Sequence, residues 1–192
     1  MKSLIRSLAE KVGYRVMSAA RGQQLDKLEL QAPILLDELL RLNGSSRRSK
    51  AQLRQDIFVL METGFKREGY FVEFGATDGV HLSNTWLLEK EYDWTGILAE
   101  PARVWHEDLR ANRSSNIDTD CVYASTGDQI EFNMTHLPEL STIANFSSTD
   151  GHASSRKAGA IYKVPTISLE DLLKRHGAPR EIDYLSIDTE GS

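Results

Sequence analysis

The chain has 192 residues and is poor in cysteine, poor in positive charge and without a long apolar run. Its single cysteine, Cys121, excludes an internal disulfide framework and any zinc site built from several cysteines. It also points to a reducing, cytoplasmic compartment. Lys and Arg total 23 against 28 Asp and Glu, a net charge of −5, which argues against the basic surface field of a general nucleic-acid binder. No uninterrupted apolar stretch approaches the roughly 18 residues that cross a bilayer. Charges at Lys2 and Arg6 break the N-terminus too early for a signal-peptide core. Arg6, Lys11, Arg15 and Arg21 share one side of a weakly amphipathic start, which reads as a solvated helix rather than a stable membrane insertion. Repeats and low-complexity segments are lacking as well. The five histidines, His81, His106, His136, His152 and His176, show no ligand spacing, so no metal site is expected. His81 and His106 read as packing or capping residues, and His176 suits a helix C-terminus.

What remains is ordinary soluble-protein composition, 40% hydrophobic and 27% charged, at a length that fits one domain with a small extension. The first 64 residues read as a helical extension. Leu25, Leu28, Ala32, Leu35, Leu39 and Leu42 recur at three- and four-residue spacing, with Pro33 dividing the stretch into two helices. Asn43-Gly44-Ser45-Ser46 is expected to stop the second, and residues 47–50 to form a polar loop. A third helix places Leu53, Ile57, Leu60 and Met61 on one face, with Gly64 at its end.

From residue 65 to 192 the pattern turns to strands alternating with helices. Strands are expected at 70–74, 95–99, about 119–124, 129–134, 162–167 and 182–187. Helices are expected around Trp86-Leu87-Leu88, over 102–112 and over 168–176, the last opened by Ser168 with Asp171 three residues on. Thr126-Gly127-Asp128 reads as a hairpin turn, and residues 138–160 as a Ser/Thr/Asn/Gly loop. Such alternation predicts an α/β fold, a parallel sheet with helices on both faces. Trp86, Trp94 and Trp105 are expected in packing, and Cys121 as a small buried hydrophobe.

In an open parallel sheet ligands bind beyond the carboxyl ends of the strands. Those ends carry Glu73-Phe74-Gly75-Ala76-Thr77-Asp78-Gly79, then Glu100, then Asp120-Cys121-Val122, then Asp188-Thr189-Glu190. A dinucleotide fingerprint needs glycines at the first, third and sixth positions of the first turn. From Gly75 these are Thr77 and Val80, and no phosphate-binding Lys follows. That argues against a nucleotide-dependent oxidoreductase. Carboxylates Glu73 and Asp78 repel a pyrophosphate but suit a ligand with a sulfonium, an ammonium and a ribose diol, which describes S-adenosylmethionine.

Residues from about 53 to 192 resemble the FkbM-type S-adenosylmethionine-dependent methyltransferases. The motifs are Gln55-Asp56, residues 71–79 just quoted, Leu82-Ser83-Asn84-Thr85, Trp94 to Pro101, Val164 to Leu173 and Asp183 to Gly191. The resemblance implies a Rossmann-like class I methyltransferase fold. It places Gly75, Ala76 and Gly79 under the methionine moiety and Glu73 near its ammonium group. Ser83 or Asn84 would cap the next helix and touch the cofactor carboxylate, and Glu100 would bind the ribose. Asp120, Cys121 or Val122 would lie beside the adenine. Asp188 would face the transferring methyl with Glu190 next along the loop; Asp188, Glu190 and His152 are the candidates for a general base.

Methyltransferases of this type continue past the strand that ends at residue 187, so the sheet is expected to be incomplete, with an exposed edge, one uncovered face and marginal stability. The activity expected is O-methylation of a hydroxyl on a small molecule or a glycan. The alternative is a non-catalytic module that keeps the fold and interacts through its helical start.

Overall fold

The computed structural model describes residues 37, 39–135, 142–143 and 159–188. Residues 1–44 and 45–192 form separate compact units, and the second, which starts well ahead of the 64/65 boundary drawn from sequence, holds both sheets. The expected Pro33 helix start lies outside the described residues. Residues 39–48 (α1) are helical, so the chain is not stopped at 43–46, nor are 47–48 a loop. Ser45 is buried there, its hydroxyl 2.6 Å from that of Tyr92, and this contact favours continuing the helix over a solvated turn.

Helix α2 spans Gln55–Glu62. Its buried face is Ile57, Val59 and Leu60 with Asp56, whereas Leu53 is 78% and Met61 54% exposed. The left-handed backbone of Arg54 (φ 64°) separates Leu53 from the helix and breaks the assumed spacing. Strand β1 (Tyr70–Phe74), helix α3 (Trp86–Tyr92), strand β2 (Thr95–Ala99), a 3-10 turn (Arg103–Trp105) and helix α4 (His106–Asn112) follow as the sequence pattern predicts.

The expected third strand splits in two. Asn116–Asp118 (β3) pairs with β2, while Cys121–Val122 (β4) joins a second sheet. The cause is local: Asp118 accepts a hydrogen bond from the Asp120 N–H at 2.9 Å, an Asx turn that redirects the chain between them. Strand β5 (Gln129–Met134) follows. It forms no hairpin with β4, because β7 (Ala160–Ile167) lies between them, parallel to β4 and antiparallel to β5. Strand β6 (Thr142–Ile143) pairs with β5, so the segment expected as a loop supplies a strand, and β7 starts at residue 160 rather than 162. Helix α5 (Leu169–Arg175) is capped by Ser168, whose hydroxyl accepts from the Asp171 N–H, as its spacing predicts. Strand β8 (Tyr184–Ile187) closes the series.

The central sheet is wholly parallel, in the order β3-β2-β1-β8. Val72, Phe74, Ile97 and Ala99 form one face and pack on Ile167 and Leu172. Phe71 and Glu73 point to the other, where the Arg113 guanidinium lies 5.6 Å over the Phe71 ring. Leu60, Leu87, Leu88 and Leu109 bury α2, α3 and α4. Among the described residues β8 is the edge of this sheet. Its Leu185 and Ile187 pair with Val72 and Phe74, and Ile187 is 62% exposed.

Candidate functional site

The strand order reverses between β1 and β8: the chain moves from β1 to β2 to β3, then returns to β1's other side. That is the topological switch point, where a crevice opens at the carboxyl ends. Here Gly75 has φ 76°, and a methyl group on it would sit 2.1 Å from the Asp188 carbonyl oxygen. Only glycine lets the two strand ends approach this closely. The Gly75 N–H donates to the Ala99 carbonyl at 2.9 Å, tying the turn to β2 as well. Ala76 is buried.

The turn beyond Gly75 is held by its own side chains. Asp78 Oδ1 accepts the Val80 and His81 N–H groups at 2.8 and 2.7 Å. Gly79 lies against α4, where a methyl group would sit 2.5 Å from Arg113 Cγ and 2.7 Å from Leu109 Cδ1. Ser83 Oγ accepts the Trp86 N–H at 3.1 Å and so caps the start of α3; Asn84 does not.

Glu73 is buried beneath this loop. Its oxygens accept from Ser83 Oγ, from the Asn84 N–H at 2.8 Å and from Thr85 Oγ1. An ionised carboxylate offers about four acceptor positions, and the loop takes three of those of Glu73. Burial pushes its pKa up, against the opposing influence of Arg113 and these donors.

Arg113, which no motif singles out, organises the whole arrangement. Its fully buried guanidinium donates to the Gly79 carbonyl (3.0 Å), Ser83 Oγ (3.1 Å), Thr85 Oγ1 (2.9 Å) and Glu89 Oε2 (2.9 Å), and lies 3.8 Å from Glu73. Burial works against the Glu89 charge, yet Arg113, the Ser114 N–H and Ser115 hold its carboxyl down to about 2. A lone arginine after a helix carries no sequence signal that marks it for such a role.

Glu100, at the end of β2, is buried too, but differently. Oε2 accepts the Thr77 N–H and Oε1 the Ala102 N–H, both at 2.8 Å. Burial pushes its pKa up to about 7, against those two hydrogen bonds and with help from the Glu73 charge. Two of its acceptor positions are used and about two stay available. His106 braces the Glu100 carbonyl through Nε2 at 2.8 Å, and burial keeps its pKa below the usual histidine range.

Cys121 is buried with Ala102, Phe132 and Val164, and burial, Glu100 and Asp120 push its thiol up to about 12, so it is an unreactive neutral thiol. Val122 packs against the central core from the second sheet. Asp120 is paired with Arg175 at 2.7 Å. Its neighbour Asp118, passed over in the sequence, is the more buried acid and accepts from Arg175 and from His176 Nε2 at 2.8 Å. Asp188 is exposed at the end of β8. Glu190, His136 and His152 lie outside the described residues.

The structure thus brings Gly75 against Asp188 and Thr77 against Glu100 at the carboxyl ends of the strands, ties Asn84 to Glu73 one step back along β1, and places Cys121 within the electrostatic reach of Glu100. Among the described residues no group of three or more His, Cys, Asp or Glu is placed to hold a metal ion, and no helix is long and apolar enough to cross a membrane. The residues fit S-adenosylmethionine: the buried Glu100 carboxylate with spare acceptor positions, a glycine at the strand crossing and, among the described residues, no lysine directly after the turn. The family model of the methyltransferase FkbM domain matches residues 73–192, which is most of the compact unit with the two sheets. No curated protein and no solved structure matches the chain.

Proposed function

The chain belongs to the FkbM family of methyltransferases, and we propose that it binds S-adenosylmethionine in the β1–β8 crevice and methylates a hydroxyl group of a small molecule or glycan. The observation that carries this reading is Glu100, a buried carboxylate at the end of β2 with two acceptor positions filled by backbone N–H groups and about two free. A ribose diol offers two adjacent hydroxyl donors, which is the complement of that arrangement. Gly75 and Ala76 form the surface on which the aminoacyl arm rests, and the Thr77 and Ala102 N–H groups hold the Glu100 carboxylate in place.

Held by Glu100 and the Gly75–Ala76 turn, the cofactor would supply a methyl group already activated on a sulfonium, with a neutral thioether as its leaving group and the acceptor hydroxyl oxygen as the nucleophile. The chain's task is alignment and proton removal. Asp188, whose backbone packs on Gly75, is the carboxylate we assign to take the hydroxyl proton. A cytoplasmic setting suits a chain whose one cysteine is buried and unreactive.

The test is thermal and chemical unfolding with S-adenosylhomocysteine. At a hundredfold excess over its dissociation constant, a ligand that binds only the native state adds about 2.7 kcal/mol. We expect that gain in the wild type and its loss in Glu100→Gln, which removes one of the carboxylate's acceptors. A folded wild type with no gain would overturn the reading.

A further inference from the structure

Asn84 is 7% exposed and lies in the loop between β1 and α3. Its main-chain N–H donates to Glu73 Oε1, and its side-chain Nδ2 donates to Ser186 Oγ on β8 at 2.9 Å. Its side-chain oxygen, Oδ1, is buried with no hydrogen-bond partner among the described residues. Buried amide oxygens are seldom left unpaired in native proteins, so this atom calls for a donor. Its place is informative: Ser186 pairs with Glu73 across β1 and β8, and two residues further along the same strands Gly75 meets the Asp188 carbonyl. Asn84 therefore bridges the two strands just beneath the switch-point crevice.

The chemistry required of a ligand group at Oδ1 is specific. A carboxylate offers no donor and cannot satisfy it. An ammonium group can. Glu73, the acid at this level, already accepts from Ser83, Asn84 and Thr85 and has the Arg113 guanidinium 3.8 Å away as its cation. We propose that Asn84 Oδ1 receives the α-ammonium group of the cofactor's aminoacyl arm, while Glu73 holds the loop and does not contact the ligand. The assignment rests on the cofactor reading above. It reverses both the carboxylate contact and the Glu73 contact that family resemblance implies.

The test compares two ligands on the full chain by calorimetry: S-adenosylhomocysteine, and methylthioadenosine, which has the same adenosine and thioether but no aminoacyl arm. Asn84→Leu should weaken S-adenosylhomocysteine about 10- to 100-fold, the loss expected for a hydrogen bond to a charged group, and change methylthioadenosine less than about threefold. Asn84→Asp keeps an acceptor and should hold S-adenosylhomocysteine within a few-fold of wild type. If the arm's carboxylate faced this position, Asn84→Asp would instead lose as much as Asn84→Leu, and the proposal would fail. Equal weakening of both ligands in Asn84→Leu, with Asn84→Asp no better, would make Asn84 a scaffold residue. No weakening in either variant would also overturn it. A wild type that binds neither ligand defeats the cofactor reading itself, an outcome separate from all of these.

Discussion

Glu73 and Glu100 stand at the carboxyl ends of neighbouring parallel strands, both buried, both with burial pushing the pKa upward. Their surroundings differ in kind. Glu73 accepts from three loop groups and has the Arg113 guanidinium 3.8 Å away. Glu100 has two backbone N–H groups and, among the described residues, no paired cation. A buried carboxylate held by three donors of its own loop beside a guanidinium stabilises that loop. One with only two backbone donors is expensive for the fold. The same residue type thus ties down a loop on the β1 side and keeps about two acceptor positions open on the β2 side.

Removing the cation should break the β1 side first and hardest. Arg113→Met leaves Glu73 and Glu89 buried without their guanidinium, and losing one partner of a buried ion pair costs about 3–5 kcal/mol. Chemical denaturation at pH 7 measures it. The Glu89 carboxyl is held at about 2, well below its ordinary 4.5. A depressed carboxylate contributes stability that is present above its unfolded pKa and lost as pH falls through the folded value. The gap between wild type and variant should therefore narrow from about pH 4.5 down towards 2. A cost under about 1 kcal/mol at pH 7 would mean that the two strand ends are equally loosely held.

The β2 side should respond to pH in the opposite sense. Glu100 has a raised pKa, about 7 against an ordinary 4.5. Its contribution is fully present below pH 4.5 and is lost as pH rises through 7, because the folded state then holds a buried charge. Glu100→Gln removes that titration. Whatever fixed offset the amide introduces, the stability difference should move in the variant's favour by about 3 kcal/mol between pH 4 and 8, from a 2.5-unit shift at about 1.4 kcal/mol each. A flat difference across that range would place Glu100 in contact with solvent or a cation and remove the contrast with Glu73.

Much of the architecture was legible because strand and helix periods are local. The 70–74 and 95–99 strands, the Ser168 cap and the strand-end positions of Glu73, Glu100 and Asp188 follow from short runs of residues. What was not legible depends on single side-chain and backbone contacts that no period carries. The split at Asp118 depends on one side chain turning back on its own backbone, which ends the strand beside β2 at residue 118. Leu53 leaves the expected face because the left-handed Arg54 interrupts a spacing that looks helical, while Met61 falls outside the buried face of Asp56, Ile57, Val59 and Leu60. Arg113 escaped notice entirely, since its four partners come from residues 79 to 89. The difference between Glu73 and Glu100 is of this second kind: the sequence shows two acids at strand ends, and only the count of occupied acceptor positions tells them apart.

The smallest effect tests the tension within the β2 side itself. Thr77 is β-branched yet has φ 48°, in the left-handed region, which such residues rarely adopt and which costs about 1–3 kcal/mol. Its N–H is the one that holds Glu100 Oε2, and its hydroxyl donates to the His81 carbonyl at 3.2 Å. Glycine would take the same backbone without strain and keep the N–H, but would cost roughly 0.5–1 kcal/mol in unfolded-state entropy and lose the hydroxyl bond. Thr77→Gly should accordingly be neutral to about 1 kcal/mol stabilising by chemical denaturation, where a threonine in relaxed backbone would lose stability on the same change. A loss above about 1 kcal/mol would show the His81 bond outweighing the strain. The β2 side would then be wired as firmly by its own side chains as the β1 side, and the spare acceptor positions of Glu100 alone would distinguish them.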